Sequence, residues 1–262
     1  MKLIIPFCSI ILLLLLSFCK SDPDMNVAQS GNLKIFDSTG SDPEAIWVAD
    51  DAIAASGGVQ AWNETRIIKW NFFGRRWLLW DKEHGKVRIE NVANDTKMIL
   101  DINTKTGKVF KDGKEWTDPD TLTRYLEMAY RTWINDSYWL AMPFKMKDPG
   151  VHLRYLREDT TLTGISCDVL GITFDSVGVT PQNKYEVWVG KNSSLVAQWA
   201  YFPNASDSLP SIVSLWDGYV KYGNIFLSGD RGEKRQMTGI KVYESLPAAI
   251  FENFDPIDFS TL

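Results

Sequence analysis

The chain has few of the side chains on which most catalytic and metal sites depend. It contains two histidines and three cysteines in 262 residues, so a histidine-rich metal site is excluded and a Ser-His-Asp triad would have to use His84 or His152. The sequence also lacks a phosphate-binding glycine loop and the patterns His-Glu-x-x-His, Cys-x-x-Cys and Gly-x-Ser-x-Gly. It therefore predicts no catalytic residue, no metal ligand and no cofactor.

Positive charge is scarce as well. The chain has 28 Lys and Arg residues against 33 Asp and Glu residues, for a net charge of −5, and it contains no run of five basic residues. Proteins that bind nucleic acid neutralise its phosphates with clustered Lys and Arg side chains. The composition predicts that nucleic acid is not a partner.

The N-terminus has the pattern of an export signal. Met1-Lys2 is followed by an apolar run from Leu3 to Leu16 and then by Ser17-Phe18-Cys19. The run is shorter than the roughly 20 residues that a membrane-spanning helix needs. The sequence predicts that residues 1–18 are a signal peptide that is removed.

The residues around Cys19 resemble a lipobox, in which the cysteine is lipidated, with Phe18 in place of the usual small residue. Lys20 to Asp24 resembles the Lys- and acid-rich tether of Bacteroidota lipoproteins. We therefore expect lipidation at Cys19, a flexible tether over residues 19–40 and an outer-membrane lipoprotein, periplasmic or surface-facing, held to the membrane by its anchor. The alternative is an ordinary secretion signal. Only Cys167 would then remain inside the fold, where we expect it to be buried.

The rest of the sequence predicts one mainly β (α+β) domain over residues 41–262. Short runs of alternating apolar and polar residues, separated by turn residues, are typical of antiparallel strands. About eleven or twelve such runs with two helices and no βαβ rhythm favour a single strongly curved antiparallel sheet or open half-barrel, with the helices covering its concave face.

Several local predictions can be compared directly with the structure. Helical spacing predicts helices over Pro43 to Ser56 and Asp118 to Asp136. Tyr138 to Gly150 is apolar, has two prolines and follows neither period, which predicts a packed loop. A change of apolar parity predicts a bulge near Gly171. In the strand that contains Val87 and Ile89, the alternating residues Lys86, Arg88 and Glu90 are expected to face water.

Aromatic residues are the one excess in the composition, with 11 Trp, 9 Tyr and 13 Phe. Large rings on a curved sheet either fill its interior or line a cavity that side chains leave open. We give core packing and a ligand pocket equal weight. The candidate pocket or gate residues are Trp70, Trp77, Trp80, Trp139, Met142, Phe144, Trp188, Trp199 and Trp216.

Three stretches resemble an uncharacterised Bacteroidota lipoprotein family over about Glu44 to Leu246. The first is Ser56-Gly57-Gly58 followed by Trp62, and the second runs from Asn135 through Trp139-Leu140-Ala141-Met142-Pro143-Phe144 to Val151. The third is Val177-Gly178-Val179-Thr180-Pro181, which precedes Tyr185. In architecture this family resembles the LolA-like and LolB-like lipoprotein carriers, whose curved sheet and covering helices hold acyl chains. The resemblance implies a cavity and a lipid-like cargo, and it assigns no residue.

The resulting hypothesis is a non-enzymatic, lipid-anchored envelope protein that binds or carries a lipid or other apolar small molecule. The second hypothesis is an envelope module without a cavity, whose exposed aromatic residues bind a protein or a glycan partner. An enzyme comes third. Carboxylate pairs such as Asp81 with Glu83 fall in predicted turns, and a buried pair in a cleft would be needed to support catalysis.

Overall fold

The computed structural model describes residues 36–175 and 178–262. The signal peptide, the lipidation site Cys19 and most of the tether lie outside these residues. The helices are α1 (Pro43–Ala55), α2 (Gly58–Glu64) and α3 (Pro119–Lys145), with a short 3-10 helix at Ala248–Phe251. The strands are β1 (Ile67–Phe72), β2 (Arg76–Asp81), β3 (Lys86–Asn91), β4 (Lys97–Asp101), β5 (Thr106–Lys111), β6 (Lys114–Trp116), β7 (Val151–Thr160), β8 (Ser166–Phe174), β9 (Lys184–Gly190), β10 (Val196–Phe202), β11 (Ile212–Leu215), β12 (Asp217–Tyr222), β13 (Ile225–Asp230) and β14 (Met237–Tyr243).

The strands of the described residues form three antiparallel sheets. Sheet A has seven strands in the order β14-β1-β2-β3-β4-β5-β6, sheet B has five in the order β11-β10-β9-β8-β7, and sheet C pairs β12 with β13. The predicted mainly β, antiparallel class is confirmed. The prediction of a single sheet of eleven or twelve strands is wrong, because fourteen strands are divided among three sheets.

The division between sheets B and C lies within one extended segment. β11 pairs with β10, and the Trp216 backbone N–H extends this pairing by donating to the Ala197 carbonyl at 2.9 Å. Gly218 then adopts a φ of 64°, a left-handed conformation that favours glycine. Beyond this point β12 pairs with β13 instead. The segment therefore changes partner at Trp216.

The first predicted helix is confirmed as α1, but the sequence did not predict α2. Pro43 lies in the first turn of α1, where its missing N–H has no cost, and the small residues Ala45, Ala49 and Ala52 are fully buried. Gly57 has a φ of 121°, and a β-carbon there would lie 2.5 Å from the Asn224 carbonyl oxygen. This glycine both turns the chain into α2 and permits close packing against the turn before β13.

The predicted loop from Tyr138 to Gly150 is wrong, because α3 continues to Lys145. The helix has a kink at Ala141, where φ is −120° and ψ is 17°. Pro143 follows two residues later and therefore occupies the first turn after the kink, a position in which proline is tolerated. The proline thus marks a kink within one long helix and does not end the helix.

A buried arginine satisfies the backbone group that this kink releases. In a regular helix the Trp139 carbonyl would accept a hydrogen bond from the N–H of residue 143, but Pro143 has none. The Arg231 guanidinium donates to this carbonyl at 2.7 Å. Arg231 is 3% exposed and stacks 3.4 Å from the Trp216 ring, and burial lowers its pKa to about 9. The long loop before β14 thereby holds α3 in its kinked form.

Arg88 does not face water, so this prediction is wrong. Lys86, which was expected to face water with it, is half-buried at the surface. Arg88 is fully buried, because the C-terminal segment beyond β14 covers the outer face of sheet A. Its guanidinium bonds to the Glu90 carboxylate at 2.6 Å and donates to the carbonyl oxygens of Ile250, Asn253 and Asp255. Lys69, also buried on this face, donates to the Phe259 carbonyl at 2.7 Å. Two cations thus hold the segment by its backbone.

The predicted bulge at Gly171 is also misplaced. The register shift lies in β7, between Tyr155 and Arg157, whereas β8 pairs without interruption. A β-carbon on Gly171 would lie 3.2 Å from the Leu156 side chain, so the glycine leaves space for the bulged residue. Both faces of β8 are apolar because each packs on a different cluster. Cys167 is fully buried, as predicted, and burial raises its thiol pKa to about 11.

One large apolar core contains α1, α3 and the inner faces of sheets A and B. Ile68, Trp70 and Phe72 of β1 all point into it, as their alternation predicts. Within residues 36–40, which the sequence assigned to the tether, Phe36 packs against this core. None of the helices that the structure describes has the length and apolarity needed to cross a bilayer.

Candidate functional site

A cavity of about 600 Å³ lies between α3 and the inner face of sheet B. Tyr130, Ile134 and Tyr138 line it from the helix side, followed by Lys145 beyond the kink. This wall is a broad part of the α3 surface, and it also includes Arg131, Trp133, Asn135, Ser137 and Trp139. The cavity therefore follows the helix axis over most of the second half of α3.

Aromatic side chains form much of the opposite wall. Tyr185 of β9 pairs in register with Tyr201 of β10, which pairs with Ile212 of β11. These residues form a row across three strands, and Phe174 of β8 extends it. The Tyr185 ring lies 5.8 Å from that of Phe174 and 5.4 Å from that of Tyr201. Burial raises the pKa of Tyr185 to about 12, so its hydroxyl stays protonated at neutral pH.

Tyr138 connects the two walls. Its ring lies 5.0 Å from Tyr185, 6.3 Å from Phe174 and 6.4 Å from Trp199. Its hydroxyl is buried and has no hydrogen-bond partner among the described residues. Burial raises its pKa well above the usual value. The central part of the cavity is thus mostly apolar, with hydroxyl groups and indole N–H groups set into its aromatic walls.

Charged residues lie at the two ends of the helical wall. Lys145 pairs with Asp148 at 2.8 Å, and both residues line the cavity. Arg131 also lines it but is exposed and forms no ion pair with the described residues. The charge of Lys145 is therefore balanced within the wall, whereas that of Arg131 is not.

A buried ion pair fixes α3 beside the cavity. The fully buried Asp136 carboxylate accepts two hydrogen bonds from Arg76 of β2, at 2.6 and 2.7 Å. Burial raises the Asp136 pKa although Arg76 and Asn135 act to lower it. The partner of this carboxylate is a guanidinium, so it does not form the pair of carboxylates that acid–base catalysis would use. The described residues contain no group of three or more His, Cys, Asp or Glu placed to bind a metal.

The structure divides the nine candidate residues into three groups. Trp139 and Trp199 line the cavity. Five residues pack in the main core without lining it: Trp70, Trp80, Met142, Phe144 and Trp216. The remaining two lie on sheet faces turned away from the main core. Trp77 of sheet A stacks on Phe259 at 5.2 Å, and Trp188 of sheet B packs in a small cluster with Cys167.

Sequence reasoning missed the tyrosines of the cavity because it selected tryptophans for their size. The alternation of β9 contained a usable signal, since Tyr185, Val187 and Val189 share one face and Trp188 lies on the other. The same parity separates Trp77 from Leu78 and Trp80 in β2. Tyr138 was missed for a different reason, because the segment containing it was predicted to be a loop.

Solved structures that are similar to this chain include that of a DUF1329 family protein. No protein-family model matches the chain, and no curated protein does so. The crystal structure of a DUF1329 family protein from Desulfovibrio piger is similar over 79% of this chain and 97% of its own, with a TM-score of 0.46 and 14% identity. Its family is a domain of unknown function, and a similarity of this size carries no argument about ligand or activity.

Proposed function

We propose that this protein is a non-enzymatic carrier or receptor for an apolar small molecule, such as a lipid, which it binds between α3 and sheet B. The observation that carries the proposal is the cavity of about 600 Å³. This volume lies within the range of about 300–1,000 Å³ that is usual for small-molecule pockets, and a mostly apolar lining with a few polar groups is typical of them. Burial of apolar surface would supply the binding free energy.

The distribution of tryptophans favours this function over an envelope module with exposed aromatic residues. All eleven tryptophans lie in the described part of the chain, and Trp47 alone is largely exposed, at 68%. A surface that binds glycans or proteins through a row of rings would need several exposed tryptophans or tyrosines on one sheet face. Most of the other tryptophan rings pack in the core, in the cavity wall, in the cluster around Cys167 or against the C-terminal segment.

We propose further that the protein is an outer-membrane lipoprotein. In this proposal it is related to the Bacteroidota family and similar to the LolA-like carriers. The supports for this assignment are the lipobox-like residues before Cys19 and the stretch from Asn135 to Val151, together with antiparallel sheets that have a helix packed on their inner face. In this proposal a membrane anchor keeps the cavity close to the source of its ligand.

Filling the cavity should weaken ligand binding strongly without unfolding the protein. Ile212 lines the cavity from β11, and tryptophan is well tolerated in strands. We expect Ile212→Trp to weaken binding of the apolar fluorescent probe phenylnaphthylamine at least tenfold, because the indole would occupy the ligand volume. Fluorescence titration of the purified full chain measures this, and native mass spectrometry with lipid extraction identifies any copurifying molecule.

The adjacent residue provides the matched control. Val213 points to the opposite face of β11 and is 40% exposed. Val213→Trp should leave the probe affinity within twofold of the wild type, and both variants should unfold within about 1 kcal/mol of it. Equal loss of binding in the two variants, or absence of probe binding by the wild type, would remove the cavity as the site.

The membrane anchor can be tested separately. We expect Cys19→Ser to abolish incorporation of an alkyne-labelled fatty acid when the full chain is expressed in a bacterial host, because the thiol is the acceptor of the lipid. The label would be detected by in-gel fluorescence after coupling to an azide dye. Cys8→Ser, which alters the signal peptide alone, is the control and should remain labelled. Persistent labelling of the Cys19 variant would contradict the lipoprotein assignment.

A further inference from the structure

We propose that the ligand is an elongated amphiphile with one anionic group, and that Arg131 binds this group at one end of the cavity. The inference rests on the proposed function and specifies the chemistry of its ligand. A carboxylate on an acyl chain is the simplest molecule of this class. The shape of the cavity and the charges at its two ends favour such a ligand.

The shape follows from the positions that line it. Arg131 and Lys145 are fourteen residues apart on α3, and both line the cavity. In a regular helix this separation corresponds to about 20 Å, which the kink at Ala141 shortens. The space is therefore long for its volume of about 600 Å³, and it fits an extended molecule better than a compact one.

The two ends differ in charge. At the Lys145 end the ammonium group is 2.8 Å from the Asp148 carboxylate, so an incoming anion would meet a negative group already in place. Lys82, whose pKa burial lowers to about 8, is the cation next to Lys145. Its ammonium group lies 3.6 Å from the centre of the Trp62 ring and does not line the cavity.

At the Arg131 end the guanidinium forms no ion pair among the described residues. Arginine binds carboxylate and phosphate groups with two parallel hydrogen bonds, and its exposure here lets it bind a head group without a large desolvation cost. The central rings of Tyr138, Tyr185 and Trp199 then contact the apolar part of the ligand. The charges therefore favour a ligand whose anionic group lies at Arg131 and whose apolar chain extends toward Lys145.

The test compares two ligands that differ in a single charge, dansylaminoundecanoic acid and its methyl ester. For the full wild-type chain at low salt we expect the acid to bind about fivefold more tightly than the ester. In Arg131→Gln this ratio should fall to about one, with the affinity for the ester unchanged. Arg124→Gln is the matched control, since Arg124 is on the same helix but does not line the cavity, and should keep the wild-type ratio.

The outcomes separate the two proposals. If acid and ester bind equally to the wild type, or if Arg131→Gln weakens both ligands alike, the anionic head group is wrong while the apolar site stands. If neither ligand binds, the proposed function itself fails, and this inference fails with it. A ratio that survives in Arg131→Gln but is lost in Arg124→Gln would place the anion elsewhere on α3 and overturn the assignment to Arg131.

Discussion

Replacing Arg88 by methionine is expected to lower the free energy of unfolding by about 3–5 kcal/mol. The variant would leave the Glu90 carboxylate without its cation and three carbonyl oxygens of the C-terminal segment without their donor. Unpaired buried acceptors cost about 1–3 kcal/mol each, so the loss is large even though methionine fits the apolar surroundings. Chemical denaturation followed by tryptophan fluorescence measures the change.

Lys86→Met is the matched control for this prediction. Lys86 lies on the same face of β3 and pairs with Asp101, but its side chain is 39% exposed. Exposed pairs contribute about 0–1 kcal/mol, so this variant should be nearly as stable as the wild type. Hydrogen exchange should further show that amides over residues 248–259 lose protection in Arg88→Met. Equal stability of the two variants would show that Arg88 does not hold the segment.

The second large effect is expected at the kink of α3. Arg231→Ala should destabilise the protein by about 3 kcal/mol, because it removes the donor of the buried Trp139 carbonyl and the guanidinium that stacks on Trp216. Bonds to the Ser228 hydroxyl and the Asp230 carbonyl are lost with it. Lys234→Ala, in the exposed turn beside it, should change stability by less than about 0.5 kcal/mol.

A double-mutant cycle can show that Arg231 acts through the kink. Pro143→Ala restores a backbone N–H that can donate to the Trp139 carbonyl once α3 straightens. We therefore expect this substitution to recover about 1 kcal/mol in the Arg231→Ala background, and to give no such gain in the wild type. Additive effects of the two substitutions would mean that Arg231 stabilises the protein independently of the helix.

The class of fold was predictable because local patterns record which face of an element is buried. Pro43 and the spaced alanines define α1, and the alternation of Ile68, Trp70 and Phe72 defines the inner face of β1. The division into three sheets was not predictable, since it depends on which partner each half of the segment around Trp216 finds. The burial of Arg88 was hidden for the same reason, because residues more than 150 positions away cover it.

The sequence indicated the kind of site, but it did not identify most of the residues that line the cavity. An excess of rings indicated either a core or a cavity, and the structure contains both. Trp139 and Trp199 were identified because size alone selected them, whereas Trp77 and Trp188 share that size but have the wrong strand parity. Tyr138 required knowledge that α3 continues beyond Asp136, where the sequence predicted a loop. The course of α3 beyond its kink involves a tertiary contact from Arg231, which no local pattern records.

The topology of sheet A has a consequence for how the protein is made. β1 pairs with β14, so that Ile67 is opposite Tyr243. During synthesis one edge of β1, a strand whose six residues are all buried in the final fold, stays unpaired until β14 has emerged. Unpaired apolar edges are sites of aggregation, and pairings between distant segments form slowly. Sheet A is therefore completed at β1 only when β14, the last of the described strands, is available to pair with it.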